Sequence, residues 1–412
     1  MDMEIIYMDH ASATPVKKQV IEAMIPYFDQ YFGNPSTVYD MGLKIKQVIE
    51  EQRINVSQLV GAKPEEIIFT SSGAEANNLA IKGVALARKK KGNHIIISVI
   101  EHHSVMNSAR FLERMDFEIT FLPVDKYGMV DPGRMSKAIN SETVLVSIMH
   151  ANNEIGTIQP ISELSDICRE KGVLFHTDAV ASVGNIPVDV NVLNVDLLSL
   201  SGVSLGGPKG IGALYFRNNL RLMPLIHGGI QEMGRRGGTE NVPGIVGLGK
   251  ASELAVEELT DKMNHLQKLS KDLAGGIQEK IEHVRLTGHP DTRLPGHASF
   301  CIEAIEGESL IYMLNQEGLY ANTGSACTSK ALKTSPVLVA IGVPPDIAQG
   351  SIVFTMSNNN RIEEVKYVLE KLSIAVEKLR SLSPIWRKRH CSNLGAEALA
   401  KAIKDYGRKN SG

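Results

Sequence analysis

The chain has 412 residues, which is long enough for two or three domains. Of these residues, 43% are apolar and 22% are charged, as is ordinary for a globular protein. The formal net charge of -2 excludes a strong overall attraction to nucleic acid or to acidic membranes.

Membrane spans, secretory signals and cysteine-based metal sites have no support in the sequence. No apolar run reaches the roughly 18 residues of a membrane helix, and the first residues lack the order of a signal peptide. The four cysteines form no CxxC pair, which argues against a zinc site and a disulfide framework; they are Cys168, Cys301, Cys327 and Cys391. We expect Cys168 and Cys301 to be small buried hydrophobes and the setting to be reducing and cytoplasmic.

Short apolar runs rich in β-branched residues alternate with helical patterns along the first half of the chain. Continuous apolar character predicts strands that are covered on both faces, and alternation with helices predicts a largely parallel α/β sheet. The predicted strands are Ile67–Thr70, His94–Ser98, Glu118–Leu122, Val144–Met149, Val173–Thr177, Asp196–Leu200 and Ile211–Phe216.

The second half of the chain predicts a smaller α/β domain. A long helix over Ala251–Ile281 connects to it, and the strands and helices that follow are His297–Ile302, Glu308–Glu317, Ser351–Met356 and Arg361–Ser381. After Trp386 comes a basic cluster, Arg387–His390, and an alanine-rich helical pattern over Leu394–Ala402. This tail is either a partner-binding segment or a solvated terminus.

Two strand ends in the large domain are candidate binding positions. Thr70–Asn78 follows a strand and opens a helix, so its small residues either hold an anion at the helix N-terminus or form a plain turn. Asp178 ends an apolar strand, where α/β sheets place their ligands. It is either the partner of a pyridinium nitrogen or a helix N-cap.

Three later segments combine glycines with polar side chains. Ser201–Gly210 is a tight loop whose backbone approaches another group. Arg235–Asn241 either binds a phosphate of the neighbouring subunit or is a solvated basic turn. Thr323–Lys330 contains Cys327 among small polar residues, and a following helix with Lys330 nearby would lower the pKa of this thiol.

Taken together, these segments resemble the NifS/IscS cysteine desulfurases of the class V aminotransferase group, from Ile6 to Trp386. The matching motifs are Met8–Ala11, Phe32–Ser36, Glu101–His103, Asn152–Thr157, Gly207–Gly210, Gly238–Asn241 and Gly324–Cys327. The resemblance implies the α/β fold type I architecture of pyridoxal-phosphate enzymes, with a mainly parallel seven-stranded sheet. It implies a large domain over 12–256, a small domain over 1–11 and 257–386 that carries the Cys327 loop, and a basic helical tail over 387–412.

The family's reaction removes sulfur from L-cysteine and leaves alanine and an enzyme persulfide. By resemblance, Cys327 is the nucleophile and His102 stacks on the cofactor ring. The residues implied to contact pyridoxal phosphate are Gly73, Ala74, Asn153, Asp178, Ser201 and Thr239. Asp178 would face the ring nitrogen, Ser201 and Thr239 would bind the phosphate, and Thr239 would serve the partner's site in a homodimer.

Five positions depart from the family pattern, and all of them concern the cofactor or the substrate carboxylate. Ser204 stands where the family has the lysine that holds the cofactor covalently. The other departures are Val203 for a histidine, Ala74 for a threonine, Ala181 for a glutamine and Val353 for the carboxylate-binding arginine. A serine hydroxyl cannot bind an aldehyde as a lysine amine does, and a lost acid–base group typically costs roughly 10²–10⁴ in rate.

The retained cysteine loop and the altered cofactor side lead to a first hypothesis. In it, the chain lacks pyridoxal-phosphate-dependent activity, and Cys327 carries a persulfide or ligates iron while an IscU/NifU-type scaffold protein builds an iron–sulfur cluster. The alternative is an active cysteine desulfurase that holds pyridoxal phosphate without a covalent bond. A different enzyme in a reshaped pocket and a purely structural dimer partner also remain open.

Overall fold

A sheet of seven strands forms the centre of the fold. The structure, a computed structural model, describes residues 5–324, 334–384 and 386. Its strands are β1 (Ile6–Tyr7), β2 (Ile67–Thr70), β3 (His94–Ser98), β4 (Glu118–Leu122), β5 (Thr143–Ser147), β6 (Leu174–Asp178), β7 (Leu197–Ser201), β8 (Gly212–Phe216), β9 (Val284–Leu286), β10 (His297–Ile302), β11 (Leu319–Tyr320) and β12 (Ser351–Thr355). The central sheet has the order β2-β8-β7-β6-β5-β3-β4.

Helices cover this sheet and connect its strands. They are α1 (Lys18–Met24), α2 (Pro26–Asp29), α3 (Asp40–Leu59), α4 (Gly73–Arg88), α5 (His103–Glu113), α6 (Pro132–Ala138), α7 (Ile161–Glu170), α8 (Val242–Lys280), α9 (Gly307–Gln316), α10 (Pro336–Ala340), α11 (Pro345–Ala348) and α12 (Ile362–Leu382). Every residue of β2, β3, β5, β7 and β8 is buried, which is why these segments read as continuous apolar runs.

The sheet is parallel from β4 to β7, as predicted, but β8 runs antiparallel to both of its neighbours, β7 and β2. The connection between β7 and β8 spans only residues 202–211 and holds a short 3-10 turn, Gly202–Leu205. A parallel crossover needs about a dozen residues or more, so this short loop requires the antiparallel pairing.

The predicted start of the long helix was wrong, because α8 begins at Val242 rather than at Ala251. Asn241 caps the helix by accepting a hydrogen bond from the Gly244 N–H at 3.1 Å. Pro243 lies in the first turn, where the missing N–H costs nothing. A Cβ at Gly247 would lie 2.7 Å from Pro208 Cγ, so the glycine allows α8 to pack closely against Pro208. Glycine has a low helix propensity, and for this reason the sequence pattern did not predict a helix in this segment.

Buried apolar residues in the described ranges form four groups, and two of these groups are the largest. One packs under the central sheet and draws on residues from Val20 to Ala255. The other contains Ile6 and Met8 with residues from Leu266 to Val376, around the small sheet β12-β10-β9. Strand β1 pairs with β11, which brings the start of the chain against its later part.

The cysteines at 168 and 301 behave as predicted. Both are buried, and burial raises the pKa of each thiol to about 12. These two thiols therefore stay protonated at neutral pH and act as apolar packing groups. No helix in the described ranges is long and apolar enough to cross a membrane.

A buried ion pair anchors the loop between β8 and α8. The Arg53 guanidinium on α3 donates to both carboxylate oxygens of Glu232, at 2.8 and 3.0 Å. The same carboxylate accepts the Phe69 N–H at 2.8 Å, and the Glu232 backbone has a left-handed φ of 47°. A conformation that is unfavourable for glutamate is thus stabilised by three hydrogen bonds.

We predict that Arg53→Met destabilises the protein by about 3–5 kcal/mol, because it leaves the Glu232 carboxylate buried without its cation. The free energy of unfolding in urea measures the loss. Glu50→Gln removes an exposed partner of the same guanidinium and should change stability by less than about 1 kcal/mol. Equal losses in the two variants would contradict a special role for the buried pair.

A second acidic group, Glu154, lies between Gly324 and Ser335. Glu154 Oε2 accepts a hydrogen bond from Ser335 Oγ at 2.5 Å. On the other side, a Cβ added at Gly324 would lie 2.8 Å from the same oxygen. Burial raises the pKa of Glu154 from 4.5 to about 7, although the Ser335 hydrogen bond lowers it.

This raised pKa predicts a pH-dependent contribution to stability. The folded protein binds the Glu154 proton more tightly than the unfolded chain, so the contribution is present below pH 4.5 and is lost as pH rises through about 7. Relative to Glu154→Gln, which cannot ionise, the native chain should lose on the order of 2–3 kcal/mol over this window. Urea unfolding at several pH values measures the difference. Glu118→Gln, at an exposed position, serves as the control, and parallel curves for native protein and Glu154→Gln would refute the prediction.

Candidate active site

A cavity of about 750 Å³ lies at the carboxyl ends of the central strands. Strand β6 ends at Asp178 and β7 ends at Ser201, and both residues line the cavity. Because β6 and β7 are parallel neighbours, their last residues necessarily meet at one edge of the sheet. The predicted residues Gly73, Ala74, His102, Asn153 and Ser204 line the same cavity.

Asp178 is the buried anion of this cavity. Its carboxylate accepts a hydrogen bond from Asn77 Nδ2 at 2.6 Å and one from the Val180 N–H at 3.0 Å. Burial raises the pKa of Asp178, whereas these hydrogen bonds and nearby His102 lower it. No helix begins at Asp178, so the N-cap interpretation is wrong. A cationic ring nitrogen in the cavity would compensate the desolvated carboxylate.

The start of α4 forms a concave backbone surface across from Ser201. Ser72 caps the helix by accepting the Glu75 N–H at 3.1 Å, and Gly73 and Ala74 follow in the first turn. A Cβ at Gly73 would lie 2.6 Å from Val180 Cγ2 and 3.4 Å from Ser201 Cβ. Only glycine fits there, and the first N–H groups of a helix have no intrahelical acceptors. This surface can bind a phosphate group.

His102 and Asn153 complete the walls that the resemblance predicted. His102 caps α5, and its Nδ1 accepts the Ser104 N–H at 3.2 Å, which fixes the ring beside the cavity. Asn153 accepts a hydrogen bond from His297 Nε2 through its backbone carbonyl at 3.1 Å, with the tautomer assigned from this contact. Burial lowers the pKa of His297 to about 3, so this histidine is neutral.

The altered positions Ala74, Ala181, Val203 and Ser204 also line the cavity. The Ser204 hydroxyl donates to the Ser201 carbonyl at 3.0 Å within the 3-10 turn. Val353, by contrast, is buried in β12 and exchanges backbone hydrogen bonds with Asn322. The cavity lining therefore contains the buried Asp178 carboxylate and the Ser204 hydroxyl.

One predicted residue, Thr239, is not brought into this cavity within one chain. Thr239 is exposed and lies outside the cavity walls. Its loop is held by Arg236, which pairs with Glu75 at 3.1 Å, and by the Arg235 guanidinium 4.3 Å from the Phe216 ring centre. Cys327 and the tail 387–412 lie outside the described residues.

A group of charged residues at one end of the cavity had not been predicted. Lys17, Glu258 and Lys262 line this end together with His10. Glu258 and Lys262 lie on α8 at positions that match an ordinary solvated helix face. No local pattern distinguishes a lysine on such a face from one that borders a cavity.

Pyridoxal phosphate fits the residues that are present. Gly73 leaves the space that a Cβ would fill, and Asp178 supplies the buried anion for a ring nitrogen. Within the described ranges no cluster of three or more metal-binding side chains occurs. The Gly73 space and the Asp178 carboxylate thus suit an organic phosphate that carries a ring nitrogen.

Comparisons with known proteins agree with this geometry. The model of the class-V aminotransferase family matches residues 6–368. The cysteine desulfurase IscS of Methanosarcina thermophila is 51% identical over 385 residues, which cover 93% of this chain and 95% of that protein. The cysteine desulfurase IscS of Dictyoglomus turgidum is 50% identical over 379 residues, covering 92% and 96% of the two chains.

Solved structures show the same fold. A NifS-like protein superimposes with a TM-score of 0.85 at 37% identity, covering 91% of this chain and all of that one. DndA from Streptomyces lividans superimposes with a TM-score of 0.73 at 32% identity, covering 85% and 99%. The predicted α/β fold type I architecture is confirmed, and the chain belongs to the class V aminotransferase family and, within it, to the IscS/NifS cysteine desulfurase group.

Proposed function

We propose that this protein is a cysteine desulfurase that removes sulfur from L-cysteine with non-covalently bound pyridoxal phosphate and supplies it for iron–sulfur cluster assembly. One observation carries the proposal: a single cavity joins the Asp178 carboxylate, the backbone surface at Gly73 and Ala74, and the side chains of His102 and Ser201. The names of relatives that are about half identical to this chain support it over the non-catalytic hypothesis.

Each residue has a distinct task in this proposal. Pyridoxal phosphate supplies an electron sink for cleavage next to the amino-acid nitrogen. Asp178 would keep a proton at the ring nitrogen, and Asn77 holds the carboxylate in place at 2.6 Å. The first turn of α4 and the Ser201 hydroxyl would bind the phosphate, and His102 would contact the ring. Cys327 accepts the substrate sulfur as a persulfide.

Ser204 limits how tightly this site can retain the cofactor. Because its hydroxyl cannot hold the aldehyde, retention of the cofactor depends on the ring and phosphate contacts alone. Ser204→Lys should therefore retain pyridoxal phosphate through dialysis, whereas native protein should lose most of it. The absorbance of the dialysed protein measures retention. Ser204→Ala removes only the hydrogen bond to Ser201 and should behave like the native chain. Equal retention in native protein and Ser204→Lys would contradict the prediction.

Turnover tests the activity itself. Native protein with added pyridoxal phosphate and L-cysteine should form alanine and sulfide in equal amounts under reducing conditions. Asp178→Asn should lower the rate by on the order of 10²-fold or more, because the amide cannot hold the ring proton electrostatically. Absence of alanine from native protein at saturating cofactor would refute the proposal.

A second candidate function rests on Ser204 itself. If the hydroxyl prevents cofactor chemistry, Cys327 would carry a persulfide delivered by another protein, or ligate iron together with a scaffold protein of the IscU/NifU type. In that case, labelled sulfur from a persulfide donor would reach Cys327, and Cys327→Ser would abolish the label although no alanine is formed from cysteine.

We also propose that the chain forms a cytoplasmic homodimer that docks an iron–sulfur scaffold protein. Large apolar side chains are exposed on α2, in the loop before α3 and in the loop before α8; they include Phe28, Phe32, Val38, Tyr39 and Ile230, with Val38 90% and Ile230 91% exposed. A monomer seldom leaves such a group in water. A second copy would cover these residues, and Thr239 would then serve the partner's cavity. Light scattering tests the dimer, and a monomeric mass would refute it.

A further inference from the structure

The charged end of the cavity contains one more cation than anion. Lys17 Nζ forms an ion pair with Glu258 Oε2 at 2.6 Å, and Asn358 Nδ2 donates to the same oxygen at 3.3 Å. Lys262 lies one helical turn after Glu258 on α8. Its Nζ donates to the Gly184 carbonyl at 2.7 Å, and no acidic side chain of the described residues forms an ion pair with it.

The neighbour of Lys262 does not compensate its charge. Burial and the positive charge of Lys262 together lower the pKa of His10 to about 4, so His10 is neutral. Its buried Nδ1 has no hydrogen-bond partner among the described residues. Burial and the charge of Lys17 lower the pKa of Lys262 to about 8, although the Glu258 carboxylate raises it, and the amine is mostly charged at pH 7.

The place of Lys262 suits the carboxylate of a small substrate. His10 precedes Ala11, whose N–H donates to Thr355 Oγ1 at 2.8 Å, and Thr355 lines the cavity. Thr355 and Val353 lie two residues apart on β12 and so share one face of the strand. Val353 offers no charge on that face. The Lys262 ammonium lies beside His10, which precedes the Ala11 that contacts Thr355, and Lys262 lines the same cavity.

We infer that Lys262 binds the carboxylate of the amino-acid substrate. An ammonium that borders a cavity and has only a carbonyl partner gains a charge-assisted hydrogen bond when a carboxylate arrives. Lys17 does not take this role, because Glu258 already neutralises it. The inference rests on the proposed function for the identity of the substrate, but not for the presence of the anion site.

The test uses 3-mercaptopropionate, which has the thiol and carboxylate of cysteine and no amine that reacts with the cofactor. Isothermal calorimetry measures its dissociation constant with the full-length protein. Lys262→Met should weaken binding by about tenfold to a hundredfold, because the carboxylate loses its cation. Lys262→Arg keeps the charge and should retain most of the affinity. Lys268→Met, an exposed lysine on the same helix, is the matched control and should bind like native protein.

Affinity should also fall as the pH rises through about 8, since deprotonation removes the charge of Lys262. Lys17, Glu258 and His10 face the same region and could also titrate. Lys262→Met should therefore abolish only the part of the pH dependence that comes from Lys262. Equal affinities of native protein and Lys262→Met, or no binding to native protein, would overturn the inference. Binding that depends on Lys262 without alanine formation from cysteine would uphold it and refute the proposed activity instead.

Discussion

The burial of one carboxylate, Asp178, constrains the whole site. A desolvated carboxylate needs hydrogen bonds or a cation, and the protein supplies Asn77 from α4 and the Val180 N–H from the turn after β6. These contacts connect α4 to β6, the middle strand of the central sheet. They leave one direction open, toward the cavity, where a protonated ring nitrogen would complete the charge balance.

The rest of the cavity follows from how parallel strands end. The carboxyl ends of β6 and β7 meet at one edge, and the start of α4 faces them across Val180. Backbone N–H groups at Gly73 and Ala74 are therefore available to a phosphate without any cationic side chain of their own. Contacts of this kind do not require an amine at Ser204.

Charge is distributed unevenly along the lining of this cavity. Asp178 is a buried anion of the lining, whereas Lys262 lies beside neutral His10 in the same lining. The carboxylate of the proposed amino-acid substrate would match Lys262. The absence of an arginine at Val353 thus need not leave the substrate carboxylate without a partner, because a lysine from a different element reaches the same cavity.

Local patterns in the sequence determined the strands β2, β3, β4 and β10 at their observed bounds, the position of Asp178 at a strand end, and the family. For β2, β3 and β10 such patterns suffice because a strand buried on both faces is apolar along most of its length, whereas β4, which begins at the exposed Glu118, is marked by its β-branched and aromatic residues. They misplaced the start of α8, because the close contact between Gly247 and Pro208 joins residues that are distant in the sequence. Only the tertiary structure decided that Lys262 lies beside His10 and Gly184, residues far from it in the chain. Contacts of this kind arise when separate elements pack together, and no spacing along the sequence encodes them.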